Sequence, residues 1–397
     1  MRFSILLPTR NRLEYLRFAV ESVLRQDFDD WEVVVQDNCS DQDVEGYVRS
    51  LGDARIRYFR TDSFVPVTEN WNHALDKSRG DYVIMLGDDD CLLRGALAAA
   101  HKMILRHQEP DLIYANGLIF AYPGVIPDAP EGYLNFVRQP GSAGQEPFWL
   151  SPRAARKQAR GVMRFVYAAG LNMQYSFVRR AFIKSLEGKG PFFQSPYPDF
   201  YATTVMWLKA ARILFSPAPL AIIGITKKSF GYFHFNDKKR QGMETLLKNF
   251  PEKASMEKLR EVLLPGPGDI SSWLFAMETV RQNYGDEFNL KVGYGRYRWL
   301  QIAYAYKGYF LDKSGEITAE QFEDLRGHMF LWERALYGLP LELGFRLMAF
   351  LPARAGKALY AALRRTASRS RVKLKDVKRK PLKNILDAVD FIGPVRA

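Results

Sequence analysis

The sequence predicts an α/β fold in which a mostly parallel sheet is flanked by helices and followed by a helical C-terminal extension. Three observations predict it. Short β-branched runs alternate with segments of helical periodicity through about the first 115 residues, a pattern that implies right-handed crossovers between parallel strands. Polar clusters, "PTRNR", "DNCSD" and "GDDD", follow three of the predicted strands, where such a sheet places its ligand. From about residue 250 the pattern is helical.

Taken in order, residues 2–8, "RFSILLP", form the first strand and stop at Pro8-Thr9-Arg10-Asn11, turn formers that also supply donors. "EYLRFAVESVLRQ" places Leu16, Ala19, Val20, Val23 and Leu24 on one helical face. The strand "WEVVVQ" ends at Asp37-Asn38 and leads to a short helix near 43–51, the strand "IRYF" and a helix around "TENWNHALDKS". Then come the strand "YVIML", a helix from about Arg94 to Arg106 and the strand "DLIYA". The Pro/Gly-rich stretch "AYPGVIPDAPEGYLNFVRQPGSAGQEP" is expected to be a mobile loop over the site or an insertion. Helical signal returns at "SPRAARKQARGVMRFVYAA". Residues 172–184 hold a strand and a helix start, "YPDFYATTVMWLKAA" a helix, and "LAIIGI" a strand.

Composition narrows the function. The 47% hydrophobic and 14% aromatic content is that of a folded chain. Two cysteines, Cys39 and Cys91, make neither a disulfide framework nor a metal finger, so a reducing cytosol is expected. The opening "MRFSILLPTRNR" reads as a strand rather than a leader. No stretch approaches a spanning helix, since "LMAFLPA" breaks at Pro352. No G-x-G-x-x-G follows the first strand, and G-x-x-x-x-G-K-[ST], G-x-S-x-G and H-E-x-x-H are absent, which disfavours dinucleotide oxidoreductases, P-loop enzymes and two hydrolase classes. The net charge is +13, and residues 331–397 carry 15 Lys+Arg against 5 Asp+Glu. That excess fits a solvated face, an anionic membrane surface or nucleic acid. No nucleic-acid reader module is recognisable, and the acidic cluster would repel phosphate backbones, so no nucleic-acid partner is expected.

The segment "YVIMLGDDDCLL" ends a buried strand on three adjacent aspartates. Carboxylates so placed repel one another and require a cation or strong donors.

Together, "SILLPTRNR", "WEVVVQDNCSDQ", "WNHALDKSRGDYVIMLGDDD" and a later acid in "SPYPDFY" resemble the inverting A-type fold glycosyltransferases of family 2, over residues 3–115 and more loosely over 160–235. The resemblance implies a Rossmann-like catalytic domain over residues 1–245, with a nucleotide-sugar half (1–115) and an acceptor half (116–245). A helical basic region occupies 246–397. It implies a nucleotide-diphospho-sugar donor, UDP favoured, and Mn²⁺ or Mg²⁺ as cofactor. The acceptor is a glycan or a lipid-linked glycan in surface polysaccharide synthesis, met on the inner face of the membrane. A non-catalytic subunit of the same fold is the alternative, and homo-oligomerisation stays open.

Residue by residue, the resemblance assigns Pro8, Thr9, Arg10 and Arg12 to the nucleotide pocket, Asp37 to the base edge or ribose with Asn38 beside it, and Asn72 to a further donor subsite. Read literally, D-x-D is Asp88 and Asp90. Counting from Gly80-Asp81 instead puts Gly87 at the family's first acid and Asp89 at its second, so Asp89 and then Asp90 are the expected metal ligands, with Asp88 facing ribose or solvent. Asp90 as an ordinary helix cap is the competing reading. His234 completes the metal shell as a late histidine does in some relatives, and Lys227 and Lys228 are alternatives for the diphosphate. An inverting transfer needs a base near the acceptor hydroxyl. Asp199 is the expected base, with Pro198 at the place of the family's preceding acid. Glu146 and Asp128 are the other candidates, and Asn172 and Gln174 mark the acceptor side. The apolar and cationic residues beyond Leu331 are read as a region that meets an anionic membrane.

Overall fold

The computed structural model describes residues 1–126, 129–137, 146–166, 172–229, 262–266, 268–311, 317–349 and 382–395, together with Leu259. Its centre is an eight-stranded sheet. In chain order the strands are β1 (Phe3–Thr9), β2 (Trp31–Asp37), β3 (Ile56–Arg60), β4 (Tyr82–Met85), β5 (Cys91–Leu92), β6 (Leu112–Ala115), β7 (Gly117–Ala121), β8 (Tyr133–Val137), β9 (Phe148–Leu150), β10 (Ser176–Arg179), β11 (Ile213–Ser216) and β12 (Ala221–Ile225). The large sheet has the order β3-β2-β1-β4-β10-β6-β11-β9, parallel except at β10 and β9. Helices α1 (Leu13–Leu24), α2 (Val44–Ser50), α3 (Val67–Lys77), α4 (Ala96–Arg106), α5 (Pro152–Met163), α6 (Arg180–Lys184) and α7 (Pro198–Lys209) lie between strands.

The period-2 alternation explains why β1, β2 and β4 are buried on both sides. Ile5, Leu7, Val33, Val35 and Ile84 point into one apolar layer, packed with Leu16, Val20 and Val23 of α1. Leu6, Val34, Val83 and Met85 point into the other, with Tyr201 and Met206 of α7. Each such side chain contributes roughly 1.5–3 kcal/mol by leaving water. The A-type architecture expected for the chain, a mostly parallel sheet between helices with further helices at the C-terminal end, is present.

Two differences from the sequence reading have simple causes. The stretch from Ala121 is expected to be a mobile loop or an insertion, yet "YLNFV" within it forms β8 and pairs with "GLIFA", β7, in a second sheet of order β5-β12-β7-β8. Each strand is only five residues long, and the Pro and Gly residues between them obscure the alternation. The helix expected from about Arg94 starts at Ala96, because Gly95 takes its N-cap position with φ +76°.

Beyond residue 262, α8 (Gly268–Phe288), α9 (Tyr294–Phe310) and α10 (Ala319–His328) follow. A last long helix, α11, begins at Leu331–Glu333, passes through a π-turn at Arg334–Gly338 and continues over Leu339–Ala349. One apolar cluster joins Tyr114 and Tyr201 beneath the sheet to Trp273 of α8 and Tyr297 of α9. The base of α11 is fixed by a buried fork–fork pair in which Arg298 donates to both Glu333 oxygens at 2.7 Å. The terminal helix α12 (Ile385–Ile392) starts at an Asn384–Asp387 capping box and returns to the second sheet, burying Ile385 and Val389 against Cys91 and Ile222.

Candidate active site

The end of β4 turns sharply at Gly87-Asp88-Asp89-Asp90, and all three carboxylates are buried. Two glycines make the turn. A Cβ at Gly87 would lie 2.6 Å from the Asp90 carboxylate, and one at Gly224 of β12 would lie 1.9 Å from the Asp89 carbonyl oxygen. β12 therefore crosses directly against the acidic turn. Asp90 faces inward and accepts the backbone N–H groups of Gly87 and Gly224, both at 2.9 Å. Burial, then the neighbouring Asp89, pushes its pKa well above the ordinary carboxylate value.

Asp88 and Asp89 face the other way and share a cation from the chain itself. Arg12, just before α1, places Nη1 3.0 Å from Asp88 and 3.4 Å from Asp89, and donates through Nη2 to the Lys228 carbonyl. Thr9 at the end of β1 donates to Asp88 at 2.8 Å. Asp89 accepts from Thr226 at 3.4 Å and from Ser229. Burial raises Asp88 to about 6; Arg12 opposes that shift, and Asp89 adds to it. Burial alone would lower the Arg12 pKa, but Asp88 and Asp89 more than offset it and hold the guanidinium above its ordinary value. The segment after β12 is tied down once more where Lys228 donates to the Asn11 carbonyl at 3.0 Å and pairs with Glu14 at 3.4 Å.

Asp199 reaches the same edge of the sheet by topology. α7 feeds β11 from the N-terminal end of that strand, and β11 runs parallel to β6 and β1. The start of α7 therefore lies at the C-terminal edge, with Thr9, Asp37 and the acidic turn. Asp199 sits in the first turn after Pro198 and accepts its nearest donor, the Phe200 N–H, at 2.9 Å. Burial raises it to about 7, opposed only by backbone hydrogen bonds.

Residues 4–147 match the sequence profile of glycosyl transferase family 2. Over that stretch the chain is similar to the glycosyl transferases of family 2. Over 100 residues it is 39% identical to the GalNAc(5)-diNAcBac-PP-undecaprenol beta-1,3-glucosyltransferase of Campylobacter jejuni, covering 24% of this chain and 32% of that one. Over 138 residues it is 33% identical to the putative colanic acid biosynthesis glycosyl transferase WcaA of Escherichia coli, covering 32% of this chain and 48% of that one. The matches thus span about a third to a half of these curated relatives. A solved structure of Staphylococcus aureus TarS 1–349 in complex with UDP-GlcNAc aligns over 91% of this chain and 92% of that one, at 16% identity and a TM-score of 0.46.

The structure brings Thr9, Arg12, Asp88 and Asp89 together and gives the other expected residues different surroundings. Asp90 is not the cap of α4, whose N-cap is Gly95; it pins β12 to the acidic turn. Asp37 is fully buried and accepts from Ser40 N–H at 3.0 Å, Tyr58 at 2.9 Å and Arg60 at 3.1 Å. Asn38 is spanned by both backbone groups of Val65. Pro8 is buried within β1 opposite Gln36. Arg10 is exposed, stacked 4.1 Å over the Phe64 ring, and donates to the Asn38 carbonyl. Asn72 holds the strip that leads to Asp199, exchanging hydrogen bonds with both backbone groups of Phe193, while Thr68 donates to the Ser195 carbonyl. Asn172 caps a short turn at Gln174, whose side-chain oxygen is buried without a partner. Glu146 and Lys227 are exposed. His234 and Asp128 lie outside the described residues.

Sequence reasoning missed Thr226 and Ser229. Their signal is the run Thr226-Lys227-Lys228-Ser229, hydroxyls and cations directly after a strand. The counter-ion role of Arg12 had no local signal, because the partners are 76 and 77 residues away.

Proposed function

We propose that this chain is a metal-dependent inverting glycosyltransferase that moves a hexosyl group from a nucleotide-diphospho-sugar, UDP favoured, onto a glycan or lipid-linked acceptor in surface polysaccharide synthesis. Its place of action is the cytosolic face of a membrane. The single observation that carries the reading is the paired Asp88 and Asp89, already holding a cation at the ligand-binding edge of the sheet. The donor set suits Mn²⁺ or Mg²⁺. Carboxylates and the hydroxyls of Thr9, Thr226 and Ser229 are hard oxygen ligands, and the Arg12 guanidinium stands where positive charge is needed. Among the described residues no three His, Cys, Asp or Glu side chains form a cage, which agrees with an ion held by one or two carboxylates and by phosphate oxygens.

Asp89 and Asp88 would hold the ion, Asp89 being slightly the more exposed of the two. The ion supplies Lewis-acid neutralisation of the diphosphate leaving group. The chain's own residues do the rest. Arg12 and Arg10 give positive charge beside the phosphates. Asp199, with a pKa near 7, takes the proton of the acceptor hydroxyl as that oxygen bonds to the anomeric carbon and the carbon–phosphate oxygen bond breaks. Asn72 and Thr68 position Asp199 through the 193–195 strip.

A donor-binding subunit without turnover is the reading favoured by Gly87 and Pro198, which stand where the family has acids. The test is a thermal-shift screen of UDP, GDP, dTDP and CDP with and without Mn²⁺, followed by turnover with the stabilising nucleotide's sugar. Stabilisation by one nucleotide only when Mn²⁺ is present, with inverted product, supports the enzyme. Stabilisation without turnover supports the subunit.

A further inference from the structure

Among the described residues no helix is long and apolar enough to cross a membrane, yet α11 carries, opposite its buried face, an exposed apolar strip interrupted by the Arg346–Glu342 pair. Its inner face is conventional: Gly338 and Phe345 are buried, Tyr337, Leu341 and Met348 pack beside Phe345, and Glu333 is locked to Arg298. Its outer face is the anomaly. From 331 to 347 the exposed positions are Leu331, Trp332, Ala335, Leu336, Leu339, Pro340, Leu343, Arg346 and Leu347, so Arg346 is the one polar side chain among them. The leucines and the tryptophan are between 49% and 82% exposed. Phe330 extends the strip at one end, stacked on Trp332.

A contiguous exposed apolar strip of this length marks an interaction surface. The sequence that continues from it decides which. Residues 350–381 contain eleven Lys or Arg and one Asp. An anionic lipid surface satisfies both features, taking the leucines into the acyl boundary, Trp332 at the interface and the cations at the headgroups.

We propose that the outer face of α11, Trp332-Leu336-Leu339-Leu343-Leu347, inserts into the interfacial layer of an anionic membrane, with the basic segment after it as the electrostatic partner. This deepens the membrane-side reading above, but it rests on a different face of the molecule from the donor site, and the two fail separately.

The experiment uses the full chain and vesicles of phosphatidylglycerol with phosphatidylcholine, compared with phosphatidylcholine alone, in a flotation assay. The wild type is expected to float with the anionic vesicles, and added salt weakens the binding without abolishing it. Leu339→Gln with Leu343→Gln should weaken binding about ten-fold or more, with unchanged UDP–Mn²⁺ binding and unchanged molar mass by light scattering. Because both leucines are exposed, the variant keeps its core. As a second measurement, brominated lipid should quench wild-type tryptophan fluorescence, and Trp332→Phe should remove that quenched component. Failure of the wild type to bind anionic vesicles at low salt, wild-type binding by the double variant, or a molar mass that halves in the variant would each overturn the proposal, the last in favour of a second copy. Loss of nucleotide binding with intact flotation would count against the donor site alone and leave this surface standing.

Discussion

The acidic turn buries its carboxylates and the start of α7 half-buries one, and the two treat the same functional group in opposite ways. At the turn, Asp88 and Asp89 lie beside one guanidinium and accept from hydroxyls, and Arg12 opposes the upward pull of burial on Asp88. At α7, Asp199 is half-buried, with no cation beside it among the described residues, and accepts its neighbour's backbone N–H. Its pKa rises to about 7. A carboxylate supplied with positive charge is suited to hold a cation, and one denied it is suited to carry a proton. The two roles thus follow from the neighbours, not from the residue type.

The strongest way to break this comparison is to remove the proton carrier. Asp199→Asn should lower turnover by a factor on the order of 10² to 10⁴, with donor affinity, read by calorimetry, nearly constant. If donor affinity collapses as well, Asp199 is part of the nucleotide pocket.

Gly224→Ala attacks the other region through its backbone. The new Cβ would sit 1.9 Å from the Asp89 carbonyl, so β12 must move away from the turn at a cost of about 1–3 kcal/mol. Denaturant unfolding should show that loss together with weakened UDP–Mn²⁺ binding. Full stability in the variant would mean that the turn tolerates a wider spacing.

Arg12→Gln sharpens the comparison, since it makes the turn resemble the α7 site. Leaving Asp88 and Asp89 without their cation should cost about 2 kcal/mol, toned down from a fully buried pair because Arg12 is partly exposed. Mn²⁺ should then raise the melting temperature of the variant more than that of the wild type. An equal rise in both would separate the guanidinium from the cation position.

A further effect is in pH. Asp199 is held above its unfolded value, so its protonated form is favoured in the folded state. That contribution is complete below about pH 4 and is lost as pH rises through about 7. Asp199→Asn should therefore melt higher relative to wild type at pH 8 than at pH 4, while wild-type turnover climbs through pH 7. A relative stability independent of pH would remove the burial argument.

How much of this was legible in the sequence follows from the range of the interactions. β1, β2 and β4 were readable because each buried face repeats every second residue, as Ile5, Leu7, Val33 and Val35 show. Asp88 and Asp89 were readable as a charge anomaly. Their cation was expected to arrive with a ligand, whereas Arg12 supplies one, a contact across a crossover that no local pattern encodes. Asp37 and Asn38 stood at the right strand end and Asn72 on α3, but their partners Tyr58, Val65 and Phe193 come from other parts of the chain. The exposed strip on α11 was visible as apolar bulk and cations. Which residues face outward depends on the Arg298–Glu333 lock and the π-turn that set the rotation of the helix.

The most direct test is calorimetric titration of UDP into wild-type protein and into Asp89→Asn, each with Mn²⁺ and with chelator. Metal-dependent binding in the wild type that disappears in Asp89→Asn, while both proteins melt cooperatively, is the predicted result. Equal affinity in the variant, or wild-type binding that ignores the metal, would contradict a cation site at the acidic turn.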